Sequence, residues 1–204
     1  DRIAPMSQAT QHFTHTQDQL KEIVSDVLQY ARSLGATDAA AEISEGDGLS
    51  VSVRRGKVET IERNRDKLVG VTVFIGQRRG NASTSDFSRK ALHDTVDAAY
   101  NIARFTAEDD CAGLAESELL EMHPQDLSLF HPWRITADEA VELARRAEKA
   151  ALDVSPIIRN SEGASVSAQH SQFMLGTTRG FLSGYPYSRH YLSVSPIAGS
   201  GSHM

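Results

Sequence analysis

Leu20, Ile23, Val24, Val27, Leu28, Ala31 and Leu34 recur at three- and four-residue steps, the spacing that gathers side chains on one face of an α-helix. Thr16 followed by Gln19 has the form of a capping box, and Gly35 supplies a stop. Together they predict a helix over 17–34. From Leu49 to Val53 apolar and small polar residues alternate strictly. Arg54-Arg55-Gly56-Lys57 follows, and then Val58 to Arg63, where β-branched residues alternate with charges. This pattern predicts a β-hairpin with one wet face. Leu68 to Ile75 is apolar at nearly every position, which predicts a central strand covered on both sides. Gly76 and Gly80 bracket a turn into Asn81-Ala82-Ser83-Thr84. The whole stretch reads as a meander of about four or five strands.

A second helix is predicted over 87–105, with Leu92, Val96, Ala99, Ile102 and Ala103 on its buried face and Asp86 or Ser88 as its cap. Between Thr106 and Asp126 the chain carries Glu108, Asp109, Asp110, Glu116, Glu118, Glu121 and Asp126 but no Lys or Arg, the pattern of a solvated connector. Thr136 and Glu139 form another capping box, opening a helix that runs to about Leu152 before Pro156 ends it. Beyond Ile157 short alternating runs (Ala164 to Ala168, Phe173 to Thr177, Tyr191 to Val194) suggest antiparallel strands. The fold class is therefore α+β, helices packed on a mostly antiparallel sheet meander in the order helix-strands-helix and then helix-strands. The expected organisation is a flexible tail at 1–16, an α+β unit at 17–107, an acidic connector at 108–134, and a helix with strands at 135–204.

Composition narrows the function classes. The 204 residues carry Lys+Arg 21 against Asp+Glu 27, a net charge of −6, so no global field draws the chain to phosphate backbones, and direct nucleic-acid binding is not expected. No apolar run approaches the roughly 20 residues that span a bilayer, and the N-terminus has no signal-peptide core. We expect a cytoplasmic protein with no membrane partner. The single Cys111 rules out an internal disulfide.

The chemistry-bearing motifs are mostly missing. There is neither a Walker-type phosphate loop nor a Gly-x-Gly-x-x-Gly between strand and helix. No His-Glu-x-x-His or His-Glu-x-x-x-His occurs, so the helical zinc-ligand pair is lacking. His12, His15, His93, His123 and His131 read as scattered surface residues, and Cys111 beside Asp109 and Asp110 lies in a setting that disfavours a thiolate nucleophile. The most unusual stretch is Gly76 to Asp86, two arginines at a turn followed by small polar residues before a helix start. Arg78, Arg79, Asn81, Ser83, Ser85 and Asp86 are the candidate peptide- or partner-binding residues, against the simpler reading of a hairpin turn feeding an N-cap. The basic set Arg54, Arg55, Lys57, Arg63, Arg65 and Lys67 is interrupted by Glu59, Glu62 and Asp66 and reads as a mixed-charge hairpin face.

Gly48 to Glu62, Gly70 to Asp86 and Ala103 to Ala115 resemble the N-terminal half of the PmbA (TldE) branch of the TldD/PmbA family of metalloprotease-related bacterial proteins, with the Gln77-to-Asp86 run closer to that branch than to TldD. The resemblance implies an N-terminal domain, its metallopeptidase-like C-terminal domain absent from this chain. It also implies pairing with a TldD-type paralogue, with itself, or with both, in a peptidase that acts on small or unfolded peptides in peptide-antibiotic maturation and antitoxin degradation. Any zinc or similar metal would belong to the TldD-type partner, held there by a His-Glu-x-x-x-His helix and a later Cys. No position of this sequence matches those ligands, so no catalytic or metal residue is carried over. The alternative is a binding module that modulates another protein such as DNA gyrase. An exposed meander edge near Asn81 to Ser85 could also pair with an extended peptide through main-chain hydrogen bonds.

Overall fold

The computed structural model describes residues 12–199. Most of the tail expected at 1–16, and the closing residues from 200, lie outside them. The elements run α1 (Gln17–Ser33), β1 (Asp38–Arg54), β2 (Lys57–Ile75), β3 (Arg78–Thr84), α2 (Arg89–Phe105), a 3-10 turn (Ser117–Leu119), α3 (Ala137–Leu152), β4 (Ile158–Thr177), β5 (Leu182–Ser183) and β6 (Pro186–Ala198). The sheet order is β3-β2-β1-β4-β5, with β6 also paired to β4. This is the expected α+β class.

Both predicted capping boxes form. Thr16 Oγ1 accepts the Gln19 N–H at 3.1 Å while Gln19 Oε1 accepts the Thr16 N–H at 2.8 Å, and Thr136 and Glu139 repeat the arrangement on α3. Each box satisfies helix N–H groups that have no partner within the helix. Of the two candidate caps on α2, Ser88 is the one used.

The meander differs from expectation. It has three long strands, because the stretch 38–48 is already part of β1 and the predicted strands at 58–63 and 68–75 are one continuous β2. The charged run Arg63 to Lys67 does not interrupt β2, since every residue from Lys57 to Leu68 is exposed and no side chain there has to be buried. The expected covering of 68–75 on both sides holds only in part, at Phe74, which is buried on the second face. Val69, Val71 and Val73 are buried under the helices, whereas Leu68, Gly70 and Thr72 on the opposite face keep solvent contact.

Two units are described separately. Among the described residues the first comprises 12–45, 66–128 and 171–186. Its core joins Leu20, Val24, Val27 and Ala31 of α1 and Leu92, Val96, Ala99 and Ala103 of α2 to Ala39, Ala41 and Ile43 of β1, Val69, Val71 and Val73 of β2, and Met174 of β4. Each fully buried Val or Leu contributes about 1.5–3 kcal/mol over its exposed state. The helix α2 lies so close to β3 that a Cβ on Gly80 would stand 2.0 Å from the Ala99 carbonyl oxygen.

Among the described residues the second unit comprises 46–65, 129–170 and 187–199, with a core of Leu49, Val51, Val53, Ala140, Val141, Ala144, Ala164 and Val166 that Trp133 and Ile135 pack against. In this unit Arg55 (φ 51) and Gly56 (φ 71) form the β1–β2 turn, the pair of positive dihedrals that a type I′ hairpin turn requires. Glu148 of α3, 2% exposed, accepts the Arg55 and Gly56 N–H groups, one on each carboxylate oxygen, both at 2.8 Å. Burial pushes its carboxyl up, yet the Gly56 and Arg55 N–H groups, Ser161 and the Arg54 charge together hold it below its ordinary value.

Candidate functional site

The six candidate residues of the Gly76-to-Asp86 stretch do not act as one group. Gly76 (φ 58) and Gln77 form a two-residue turn, which makes Ile75 and Arg78 the closing pair of the β2–β3 hairpin. From that register Arg78, Gly80, Ala82 and Thr84 turn their N–H and C=O groups to β2, while Arg79, Asn81 and Ser83 turn theirs to the outer side of β3, the terminal strand of the sheet order. The side chains of Asn81 and Ser83 lie on the helix-free face. Asn81 Nδ2 donates to Thr72 Oγ1 at 2.7 Å.

Arg78 is engaged in holding the chain after α2, with Nη2 at 3.2 Å from Glu108 Oε1 and Nη1 at 3.4 Å from the Arg104 carbonyl oxygen. Asp86 shapes the entry to α2. Its Oδ1 accepts the Ser88 N–H at 2.8 Å, and the Ser88 N–H and hydroxyl hold its carboxyl below the ordinary range. Ser85 is an exposed bend residue between the two.

The helix-free face of the first unit carries a shallow groove of about 510 Å³, bordered by Glu42, Ser44, Gly70, Thr72, Asn81 and Ser83. Small side chains on three adjacent strands make it a furrow, and Gly70, where an added Cβ would meet nothing within 4 Å, opens its centre. The groove thus borders the strand whose outer edge offers main-chain donors and acceptors, the arrangement that β-augmentation uses.

The histidine expectation needs correction. His15 and His93 are not incidental surface residues. His15 Nδ1 lies 2.9 Å from Glu45 Oε2, and its N–H donates to Glu45 Oε1 at 2.9 Å. Gln172, 1% exposed, donates to Glu45 Oε1 at 2.8 Å and to the His15 carbonyl oxygen at 2.7 Å. This buried network ties the segment before α1 to β1 and β4, and its partners satisfy one another as burial demands. His93 stacks on Tyr30 with ring centroids 3.9 Å apart and bonds Asp26 at 2.9 Å. In the second unit His170 accepts the Trp133 N–H on Nε2 at 3.1 Å, while His190 meets the Trp133 ring edge-on. His170 and His190 carry no sequence motif, and only their alternation positions on β4 and β6 mark them in the sequence. Cys111 is exposed, and its N–H donates to Asp109 Oδ1.

Arg179 performs a clamp role that the sequence did not signal. Its Nε and Nη2 donate to Asp38 Oδ2 at 3.1 and 2.9 Å, and Nη1 reaches the Leu114 and Ala115 carbonyl oxygens at 3.2 and 3.1 Å. Hydrogen bonding to Asp38 raises the guanidinium pKa further, and the acidic connector is pinned at this point.

In the first unit His15 Nδ1 engages Glu45, Glu45 also engages Gln172, and His93 Nε2 engages Asp26. Within either unit taken alone, no three His, Cys, Asp or Glu side chains of the described residues converge on one point.

Family models agree with the resemblance read from the sequence. Residues 39–103 match the PmbA/TldA metallopeptidase domain 1, and residues 130–204 match the PmbA/TldA metallopeptidase central domain. Metalloprotease PmbA of Escherichia coli O157:H7 is 44% identical over 186 residues, 91% of this chain and 41% of the relative. The Metalloprotease PmbA homolog of Haemophilus influenzae is 39% identical over 197 residues, 97% of this chain and 44% of the relative. The chain belongs to the PmbA/TldD metallopeptidase family and corresponds to its N-terminal part.

It spans less than half the length of those relatives. Two of the solved structures that share the fold illustrate it. One is a Bacteroides thetaiotaomicron protein described as a modulator of DNA gyrase (TM-score 0.80, 17% identity, covering 92% of this chain and 43% of that one). The other is TldE from Thermococcus kodakarensis (TM-score 0.71, 13% identity, covering 88% and 40%).

Proposed function

We propose that the chain is the non-catalytic, substrate-presenting N-terminal part of a PmbA/TldE-like subunit, working in the cytoplasm with a TldD-type partner in a metallopeptidase that cleaves small or unfolded peptides. The observation that carries this reading is the outer edge of β3 beside the small-residue groove, with Asn81 and Ser83 on both. An extended peptide would add to that edge through main-chain hydrogen bonds, which fit a substrate range that depends little on side chains. Any metal of the reaction would sit in the TldD-type partner. Among the described residues no helix is long and apolar enough to cross a membrane. A second reading, a binding module that modulates DNA gyrase, is supported by the description of the Bacteroides protein that shares the fold.

The test is capture of a fluorescent unfolded peptide by the full-length protein. Proline at position 83 removes an outward N–H and leaves the β2 ladder intact, a change that edge strands tolerate. Ser83→Pro is expected to weaken capture while Ser83→Ala does not. Equal binding by both variants and the parent protein would remove β3 from the account.

A further inference from the structure

The outer edge of β3 has a second wall, on its helix side, formed by the flank of α2. On α2, Leu92, Val96, Ala99 and Ala103 face the sheet, and the turn from Ala99 to Ala103 stands directly over Gly80. Arg89, His93 and Asp97 mark the flank toward α1, where they meet Asp26 and Tyr30. The α1 helix in turn lies over β4, where Val24 and Leu28 crowd Gly176. Because β3 ends the sheet order, the other flank of α2 looks out past β3. Ala91, Thr95, Ala98, Ile102 and Phe105 occupy that flank in steps of four and three, the spacing of a single stripe along a helix. The Thr95 hydroxyl is taken up by the Ala91 carbonyl oxygen at 2.7 Å. Ile102 and Phe105 are 49% and 83% exposed.

The stripe and the strand edge run side by side, since α2 returns along β3 until the Arg104 carbonyl oxygen stands 3.4 Å from Arg78 Nη1. An occupant of both must offer main-chain hydrogen bonds along one side and apolar side chains on one face. An extended strand does so, because its successive side chains point to opposite faces. We infer that the slot between β3 and α2 selects extended peptide segments whose apolar residues alternate, facing Ala98 and Ile102, and which carry an acidic residue on the other face. That residue is complemented by Arg79, which lies on the groove side of the edge, is exposed, and has no hydrogen bond or ion pair among the described residues. Opposite charges directly across a strand pair stabilise the ladder. From Gly80 to Thr84 the edge carries no charge, so the side chains that close an edge to pairing are missing there. This specificity rests on the reading of β3 as a peptide edge and adds to it the class of peptide.

Fluorescence anisotropy on the full-length protein tests it, with folding of every variant checked by circular dichroism. The probe is a labelled peptide in which Leu alternates with Ser and one Ser is replaced by Asp; its control has every Leu replaced by Ser. The Leu peptide is expected to bind about tenfold tighter than the control. Ile102→Gln is expected to weaken the Leu peptide by about tenfold and to leave the control unchanged. Ala98→Leu adds apolar surface to the wall and is expected to tighten the Leu peptide by about threefold, a gain that misfolding does not imitate. Arg79→Glu is expected to reverse the preference between the Asp peptide and its Asp→Lys counterpart. Equal capture of the Leu peptide and its control, or a Leu peptide indifferent to both α2 variants, would overturn the inference. If Ser83→Pro still weakens capture in that case, the function proposed above stands. If Ser83→Pro changes nothing, both fall together. An Ile102→Gln protein that alters sedimentation but not capture would overturn the inference by giving the stripe to a protein interface.

Discussion

Glu148 should be the most consequential single side chain of the second unit. Its carboxylate is 2% exposed and receives two backbone N–H groups at 2.8 Å from the tip of the β1–β2 hairpin. In Glu148→Gln the amide oxygen can accept one of them, while its NH2 group is set against the other. The change therefore forfeits a charge-assisted hydrogen bond, worth about 1.5–3 kcal/mol, and leaves a backbone N–H poorly paired. Allowing for partial relaxation of the hairpin tip, the expected loss is about 2–4 kcal/mol, a large share of a typical domain's stability. Trp133 is the only tryptophan and packs against the same core, so urea denaturation followed by its fluorescence reads this unit directly.

The pH dependence supplies an independent check on the same residue. The folded-state pKa of Glu148 lies below the ordinary value of 4.5. Its stabilisation is thus fully present above that value and is lost as pH falls through the folded value. The gap between parent and variant should be widest near neutral pH and should narrow below about pH 4. A Glu148→Gln protein within about 0.5 kcal/mol of the parent at neutral pH, or a gap that does not narrow in acid, would refute the reasoning.

Two further substitutions probe the first unit. Gly80→Ala would place its Cβ 2.0 Å from the Ala99 oxygen and 2.5 Å from the Ala103 nitrogen, so α2 must move, and a loss of about 1–3 kcal/mol is expected in thermal denaturation. An unchanged Tm would show that α2 gives way freely. Arg179→Ala releases the Leu114 and Ala115 carbonyl oxygens along with Asp38, and limited proteolysis should then cut faster between residues 110 and 120. Unaltered cleavage would mean that the connector is held by other contacts.

How far the fold could be read from the sequence depended on the length of each periodic pattern. The three helices were legible because seventeen, seventeen and sixteen residues repeat their apolar spacing several times and begin at recognisable caps. The first half of β1 was not. Its buried positions there are Ala39, Ala41, Ile43 and the carboxylate Glu45, which alternate with Ala40, Glu42 and Ser44, and alanines have no marked preference for strands. They fit because α1 and α2 lie above them, a tertiary cause invisible in a local window. The join between the two halves of β2 was hidden for the opposite reason. An exposed strand leaves its charges in water, so Arg63 to Lys67 looked like a break.

At the site, the Gly76-to-Asp86 stretch stood out from composition alone, but its division between sheet face, connector anchor and helix entry follows from a register set by the two-residue turn. The His15–Glu45–Gln172 network could not have been found by spacing, since its members lie 30 and 127 residues apart.

The measurement that tests the central claim most directly is peptide cleavage by the full-length protein, alone and mixed with a TldD-type partner, with and without a chelator. The account predicts chelator-sensitive cleavage only in the mixture. Cleavage by this protein alone would contradict it by placing a working catalytic site in the same chain. A partner shown to be active yet indifferent to this protein would contradict it in favour of the gyrase-modulating module.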